Sequence, residues 1–205
     1  MEQKNFDLIS LDWGDTLATN HGNPYRMIHQ RAFRQLAVDL AGLGVPLPQQ
    51  WPDQLLSEFM HQWRSTPDPA LNPDMVEMDA DGLIRQHILT HLPHAWNDDT
   101  ETALMKAAAT CSEIIMPMPG VDTALRQLVA AGYRLAICSL VPWSRKVVQA
   151  WYQRRGWDQL IDHYSLSSEV GYFKPSPRHY QDLIDGTGVA PKRILHVGDH
   201  PLRDV

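Results

Sequence analysis

Phe6-Asp7-Leu8-Ile9-Ser10-Leu11-Asp12-Trp13-Gly14-Asp15-Thr16-Leu17 passes from an apolar run straight into a polar turn. Residues 6–11 alternate little between apolar and polar, as a parallel strand covered on both faces should. The same transition recurs further along. Residues 133–138 form an apolar run that ends in Ala136-Ile137-Cys138-Ser139, and residues 193–197 lead into His196-Val197-Gly198-Asp199, with Asp204 shortly after. A weaker strand at 161–165 precedes the loop Gly171-Tyr172-Phe173-Lys174-Pro175. Helical patterns separate these runs at 121–131 (stopped by Gly132), 143–155 (closed by Gly156) and 176–184. Strands alternating with helices imply a parallel sheet wound by right-handed crossovers. Ligands of such sheets bind beyond the carboxyl ends of the strands, so Asp12, Ser139 and Asp199 are expected to converge there.

Between the first strand and the rest lies a block of different character. Residues 25–40, 54–63, 79–92 and 99–115 place apolar side chains at three-to-four spacing and read as helices. Proline-rich breaks divide them: Val45-Pro46-Leu47-Pro48, Thr66-Pro67-Asp68-Pro69 and Leu92-Pro93. No strand-like run interrupts the block. The reading is therefore an α/β, Rossmann-like core made of residues 1–17 and 117–205, with an all-helical insertion over 18–116.

The bulk properties exclude several classes. A formal charge of -6 over 205 residues gives no basic footprint for nucleic acid. The first residues are too short an apolar run for a signal peptide, and nothing approaches a membrane span of about 20 apolar residues. Cys111 and Cys138 fall in unrelated places and read as two free thiols of a cytoplasmic protein.

Taken in order, the four pieces resemble the four motifs of the haloacid dehalogenase superfamily, mostly phosphatases that form an aspartyl-phosphate. The resemblance spans the whole chain, and the insertion falls where one branch carries a helical cap. It implies a magnesium-dependent hydrolase of a small phosphorylated metabolite. Asp12 would be the nucleophile, a carboxylate that divides one difficult hydrolysis into two easier steps. Thr16 and Ser139 would donate hydroxyl hydrogen bonds to phosphate, and Lys174 would neutralise nucleophile and phosphate together. Asp12, the backbone carbonyl of Gly14, Asp199 and Asp204 would hold Mg2+, which prefers hard oxygen ligands. Relatives usually add another strand and helix beyond the point where this chain stops, so the reading expects a truncation at Val205 and an open edge on the last strand.

The chain departs from the family at Gly14, where relatives carry an aspartate that protonates the leaving group and then activates water. Such proton transfer contributes roughly 10²–10⁴-fold. Its loss implies slow turnover, unless Asp15, in the position usually held by glycine, takes over the role. The competing readings are a non-catalytic phosphate- or metabolite-binding module on the same fold, or a dehalogenase-type hydrolase. A phosphonoacetaldehyde hydrolase would need a Schiff-base lysine from the insertion, which offers only Lys106. His87, His91 and His94 have metal-like spacing but read as a solvated stripe, because Pro93 breaks their helix. Trp51, Met60, Trp63, Met75 and Met78 read as packing of the insertion rather than as a pocket. His200 could touch substrate but is assigned no chemistry.

Overall fold

The computed structural model describes residues 5–68 and 70–204. Residues 1–4, Pro69 of the second proline-rich break and Val205, where the truncation was expected, lie outside the described residues. In chain order the elements are β1 (Leu8–Leu11), β2 (Ala18–Thr19), α1 (Tyr25–Gly42), α2 (Trp51–Ser65), α3 (Ala80–His91), α4 (Asp98–Glu113), β3 (Met116–Pro117), α5 (Val121–Ala130), β4 (Arg134–Ser139), α6 (Arg145–Gln153), β5 (His163–Leu166), α7 (Ser167–Val170), α8 (Pro177–Thr187) and β6 (Ile194–Val197). Short 3-10 turns at Asp158–Leu160 and Pro191–Arg193 lead into β5 and β6.

Four strands form one parallel sheet in the order β5-β4-β1-β6, with helices around it, as the strand–helix alternation predicts. All four residues of β1 are buried, which is why its sequence runs apolar instead of alternating. β6 lies at the sheet edge, where Leu195 and Val197 are exposed.

The block between β1 and α5 forms α1 to α4, close to the predicted helices. Ile28, Ala32, Leu36 and Leu40 recur every fourth residue and give α1 one buried stripe. Asn97 and Thr100 form a reciprocal capping box that starts α4, and the Asp79 side chain accepts from the Gly82 N–H at the start of α3. A single apolar cluster runs from the sheet into these helices, joining Trp13, Trp143 and Trp151 to Phe33 and Phe59.

The expectation that no strand interrupts 18–116 needs correction at both ends. Ala18 and Thr19 pair antiparallel with Pro117 and Met116, so a two-stranded ribbon ties the points where the chain leaves and rejoins the sheet. A strand of two residues is too short to show a period in sequence. A second exception is an antiparallel bridge between Val76 and Tyr172. There the Glu77 N–H donates to the Gly171 carbonyl (3.0 Å) and the Phe173 N–H to the Met75 carbonyl (3.0 Å). The loop that carries Lys174 is thus pinned by the segment before α3.

Candidate active site

Register alone brings three motifs together. Leu11 at the end of β1 pairs with Ile137 of β4 on one side and Val197 of β6 on the other. The next residues, Asp12, Ser139 and Asp199, therefore emerge at the same end of the sheet. The Asp12 N–H donates to the Val197 carbonyl at 2.9 Å, continuing the ladder by one residue. Asp12, Ser139, Lys174, Asp199 and Asp204 line one cavity of about 270 Å³. Carboxylate oxygens of Asp12, Asp199 and Asp204 lie within 4.8 Å of one another. The glycine before Asp199 has a steric reason: a Cβ on Gly198 would sit 2.2 Å from Asp204 Cγ.

Lys174 is 1% exposed, and its ammonium bridges two of the acids. Nζ lies 2.9 Å from Asp12 Oδ1 and 2.5 Å from Asp204 Oδ1. Burial works against the charged ammonium, but the Asp12 carboxylate and the bond to Asp204 outweigh it and hold the Lys174 pKa above its ordinary value. Burial likewise works to raise Asp204, yet hydrogen bonds from Lys174 and from the His200 N–H (2.9 Å) hold its carboxyl below the usual range. Asp199 is pushed up, first by burial and then by the neighbouring Asp12 charge. Three mutually close carboxylates that resist a third negative charge are a hard-oxygen donor set suited to a small divalent cation. Among the described residues no other cluster of His, Cys, Asp and Glu could hold a metal.

The turn after Asp12 is built as follows. Asp15 takes a left-handed conformation, φ 52°, which accounts for the preference for glycine there and which Asp tolerates better than most residues. Its N–H donates to the Ala18 carbonyl at 2.7 Å, and its side chain is exposed at the cavity wall. Gly14 also lines the cavity, and a Cβ built on it meets nothing within 4 Å. The turn therefore does not demand glycine at position 14. Thr16 is not brought into the cavity wall, and its Oγ1 is buried without a hydrogen-bond partner among the described residues.

Several residues at or behind the cavity wall escaped the sequence reading. His196 sits mid-strand opposite Ser10, its register partner. Its Nδ1 is 3.0 Å from Ser10 Oγ and its Nε2 3.1 Å from Asp204 Oδ1. Burial, then the Lys174 charge, lowers the His196 pKa, so the ring stays neutral against the ammonium. Two polar residues at matching places in otherwise apolar strands were the available signal. Tyr25 of α1 and Arg203 also reach the cavity, and nothing in their local sequence marks them. Burial followed by the Asp15 and Asp12 charges raises the Tyr25 phenol.

The residues set aside in sequence divide. His87 Nε2 pairs with Glu58 Oε2 at 2.7 Å, and His91 Nδ1 donates to the His87 carbonyl at 3.0 Å, so these two of the three histidines have local partners. Trp51, Met60 and Met78 are core, as expected. Trp63 packs against the core, as expected, and in addition lines the cavity. Cys111 and Cys138 are both free and buried. No described helix is long and apolar enough to cross a membrane.

Comparison with known proteins agrees with this geometry. The sequence profile of haloacid dehalogenase-like hydrolases matches residues 6–205. A glyceraldehyde 3-phosphate phosphatase of Methanothermobacter thermautotrophicus is 23% identical over 96% of this chain and 78% of its own. Among solved structures, a phosphatase of the same superfamily from Thermococcus onnurineus superposes with a TM-score of 0.61 at 17% identity, covering 98% of this chain and 80% of its own. The L-2-haloacid dehalogenase of Xanthobacter autotrophicus shares the fold at a TM-score of 0.56 and 18% identity, over 97% and 71% of the two chains. With the profile spanning nearly every residue and the four motif segments gathered at one end of the sheet, this chain belongs to the haloacid dehalogenase-like hydrolases.

Proposed function

We propose that this hydrolase is a phosphatase of small phosphate monoesters, working through an aspartyl-phosphate at Asp12. The carrying observation is the buried Lys174 ammonium 2.9 Å from Asp12 Oδ1, at the floor of a polar cavity. A carboxylate oxygen of Asp12 attacks phosphorus while the bond from phosphorus to the ester oxygen breaks. Water then attacks the same phosphorus, inorganic phosphate leaves and the Asp12 carboxylate returns. Lys174 stays protonated throughout and offsets the negative charge that builds on phosphate. Ser139 offers a hydroxyl to a phosphate oxygen, and Arg203 stands at the wall for a further anionic oxygen. Asp204, whose Oδ1 accepts from Lys174 and lies 3.1 Å from His196 Nε2, positions the ammonium, and its Oδ2 accepts one bond, from the His200 N–H. Asp12, the Gly14 carbonyl, Asp199 and Asp204 would hold a magnesium ion, which supplies positive charge against the phosphate when bound.

The helical block acts as the cap of this site: Tyr25 and Trp63 reach the cavity from it and restrict water. With Gly14 in place of an acid, the leaving oxygen must take its proton from water or from Asp15. Turnover then depends steeply on leaving-group acidity, with aryl and acyl phosphates fast and alkyl phosphates slow. Two buried free thiols fit a reducing cytoplasm.

Gly14 equally favours a second reading, a module that binds phosphate without turning it over. One experiment separates them: p-nitrophenyl phosphate hydrolysis with magnesium and with chelator, for the unmodified protein and Asp12→Asn, alongside peptide mass spectrometry. Metal-dependent turnover lost in Asp12→Asn, with phosphate trapped on Asp12, supports the phosphatase. Phosphate binding without turnover, persisting in Gly14→Asp, supports the module.

A further inference from the structure

Ser10 and His196 do not line the cavity, yet a chain of hydrogen bonds joins them to two residues that do. They face each other across β1 and β6 as register partners. His196 Nδ1 lies 3.0 Å from Ser10 Oγ, and Nε2 lies 3.1 Å from Asp204 Oδ1. The same Asp204 oxygen is 2.5 Å from Lys174 Nζ. Ser10 is 0% exposed and Lys174 1%, so a partner lost here is not replaced by bulk water. The Tyr180 ring meets the imidazole edge-on, at a centroid distance of 5.9 Å, and restrains its plane.

The direction of each bond follows from what the atoms can do. An ionised carboxylate only accepts, so His196 Nε2 carries the proton and donates to Asp204 Oδ1. Nδ1 is then bare and accepts from the Ser10 hydroxyl. The opposite tautomer fails twice. It would turn a lone pair of Nε2 against a carboxylate oxygen, and it would leave the proton of a buried serine without this acceptor. Its one compensation, a bond from Lys174 Nζ to Nε2, would span 3.5 Å, long for a hydrogen bond. The same ammonium disfavours a second proton on the ring.

A carboxylate held at one oxygen can still turn about its own axis. Asp204 is held at both, by the ammonium and the His196 N–H at Oδ1 and by the His200 N–H at Oδ2. Lys174 Nζ, 2.9 Å from Asp12 Oδ1, is therefore fixed between two fixed acids. From this succession of donors we infer that His196 is a positioning residue: supported by Ser10, its Nε2–H holds Asp204 so that the Lys174 ammonium stays on Asp12. Resting on the phosphatase reading, the inference names what keeps the compensating charge in place during phosphoryl transfer. Misplacing such a group by about 1 Å costs on the order of 10²-fold in rate.

The tautomer is read directly from proton–nitrogen correlation spectra of protein carrying isotope-labelled histidine, with the His196 signals assigned by their loss in His196→Gln. A protonated Nε2 and a bare Nδ1 are expected at neutral pH. With p-nitrophenyl phosphate and magnesium, His196→Phe should lower kcat about 10–100-fold while KM changes less than about threefold. His196→Gln, whose side-chain N–H can reach the same oxygen, should recover most of that loss. A folded His196→Phe that keeps kcat within about threefold overturns the inference, as does a His196→Gln no faster than His196→Phe. A bare Nε2 or a doubly protonated ring overturns it too, and the spectrum of the unmodified protein decides even where His196→Phe fails to fold. Absence of turnover in the unmodified protein overturns the phosphatase reading instead, with the tautomer still deciding how His196 holds Asp204.

Discussion

The polar cavity shares Tyr25 and Trp63 with an aromatic pocket around His29, yet the two are built on opposite principles. Around Lys174 charge is buried but compensated: one ammonium meets two carboxylates, and a neutral imidazole stands by. Around His29 almost nothing is charged, and aromatic rings at centroid distances of 4.7–5.9 Å enclose an imidazole whose Nε2 has no hydrogen-bond partner among the described residues. The first arrangement is what phosphoryl chemistry requires, a fixed electrostatic environment that need not reorganise. The contrast teaches that compensated charge is confined to the ends of the strands, while the helices above them meet the core through aromatic packing.

The sharpest way to break the contrast is to remove the compensating charge. Lys174→Met leaves Asp12 and Asp204 facing each other in a buried site, so stability should fall by about 3–5 kcal/mol in the absence of divalent metal. Aryl phosphatase activity should vanish with it. Chemical denaturation with and without magnesium measures the first, steady-state assays the second. An unchanged denaturation midpoint would mean that the ammonium is not what holds the acids together.

A smaller effect is expected on restoring the absent acid. Because a Cβ at Gly14 meets no atom within 4 Å, Gly14→Asp should fold normally. Hydrolysis of alkyl phosphates should rise by up to roughly 10²–10⁴-fold, with aryl phosphates changing far less. Asp15→Asn in the unmodified protein tests the alternative source of the proton. If Asp15 already serves, that substitution costs a comparable factor and Gly14→Asp adds little.

The aromatic side should announce itself through pH. Burial lowers the His29 pKa from 6.5 to about 4, and His179, buried beneath the sheet, is lowered to about 4 for the same first cause. The unfolded chain takes up protons that the folded one refuses, so stability is fully present above pH 6.5 and is lost as pH falls towards 4. At about 1.4 kcal/mol per pH unit, each histidine accounts for on the order of 3 kcal/mol. His29→Phe should remove about half of this acid slope in urea titrations between pH 6.5 and 4. Asp204, held below its ordinary 3.8, loses its share only at lower pH. A slope unchanged by His29→Phe would place the acid sensitivity elsewhere.

How much of this was legible in sequence varies by element. β1 and β4 were readable because a parallel strand buried on both faces is a continuous apolar run, and β6 because its short run leads into a motif like that after β1. The helices α1 to α4 were readable from their periodic stripes, and α4 begins one residue from its expected start. The ribbon of Ala18–Thr19 with Met116–Pro117 was not, since two residues carry no period and their pairing spans nearly a hundred positions. That Trp63 lines the cavity as well as packing against the core was hidden for a related reason. A tryptophan on an amphipathic helix looks the same whether its ring closes a core or faces a cavity.

Local chemistry was determined by the sequence itself. The carboxylates after the strands, the lysine in its loop, the glycine at 14 and the likeness to one hydrolase family all follow from the order of residues along the chain. The meeting of Lys174 with both Asp12 and Asp204, the pairing of His196 with Ser10 and the nitrogens of Trp13 and His29 left without a partner among the described residues were decided only by tertiary structure. The physical reason is that a hydrogen bond depends on distances of about 3 Å between groups whose separation along the chain is unconstrained. Strand register brings some of them together, as at Asp12, but whether a buried polar atom finds a partner depends on every element that packs against it.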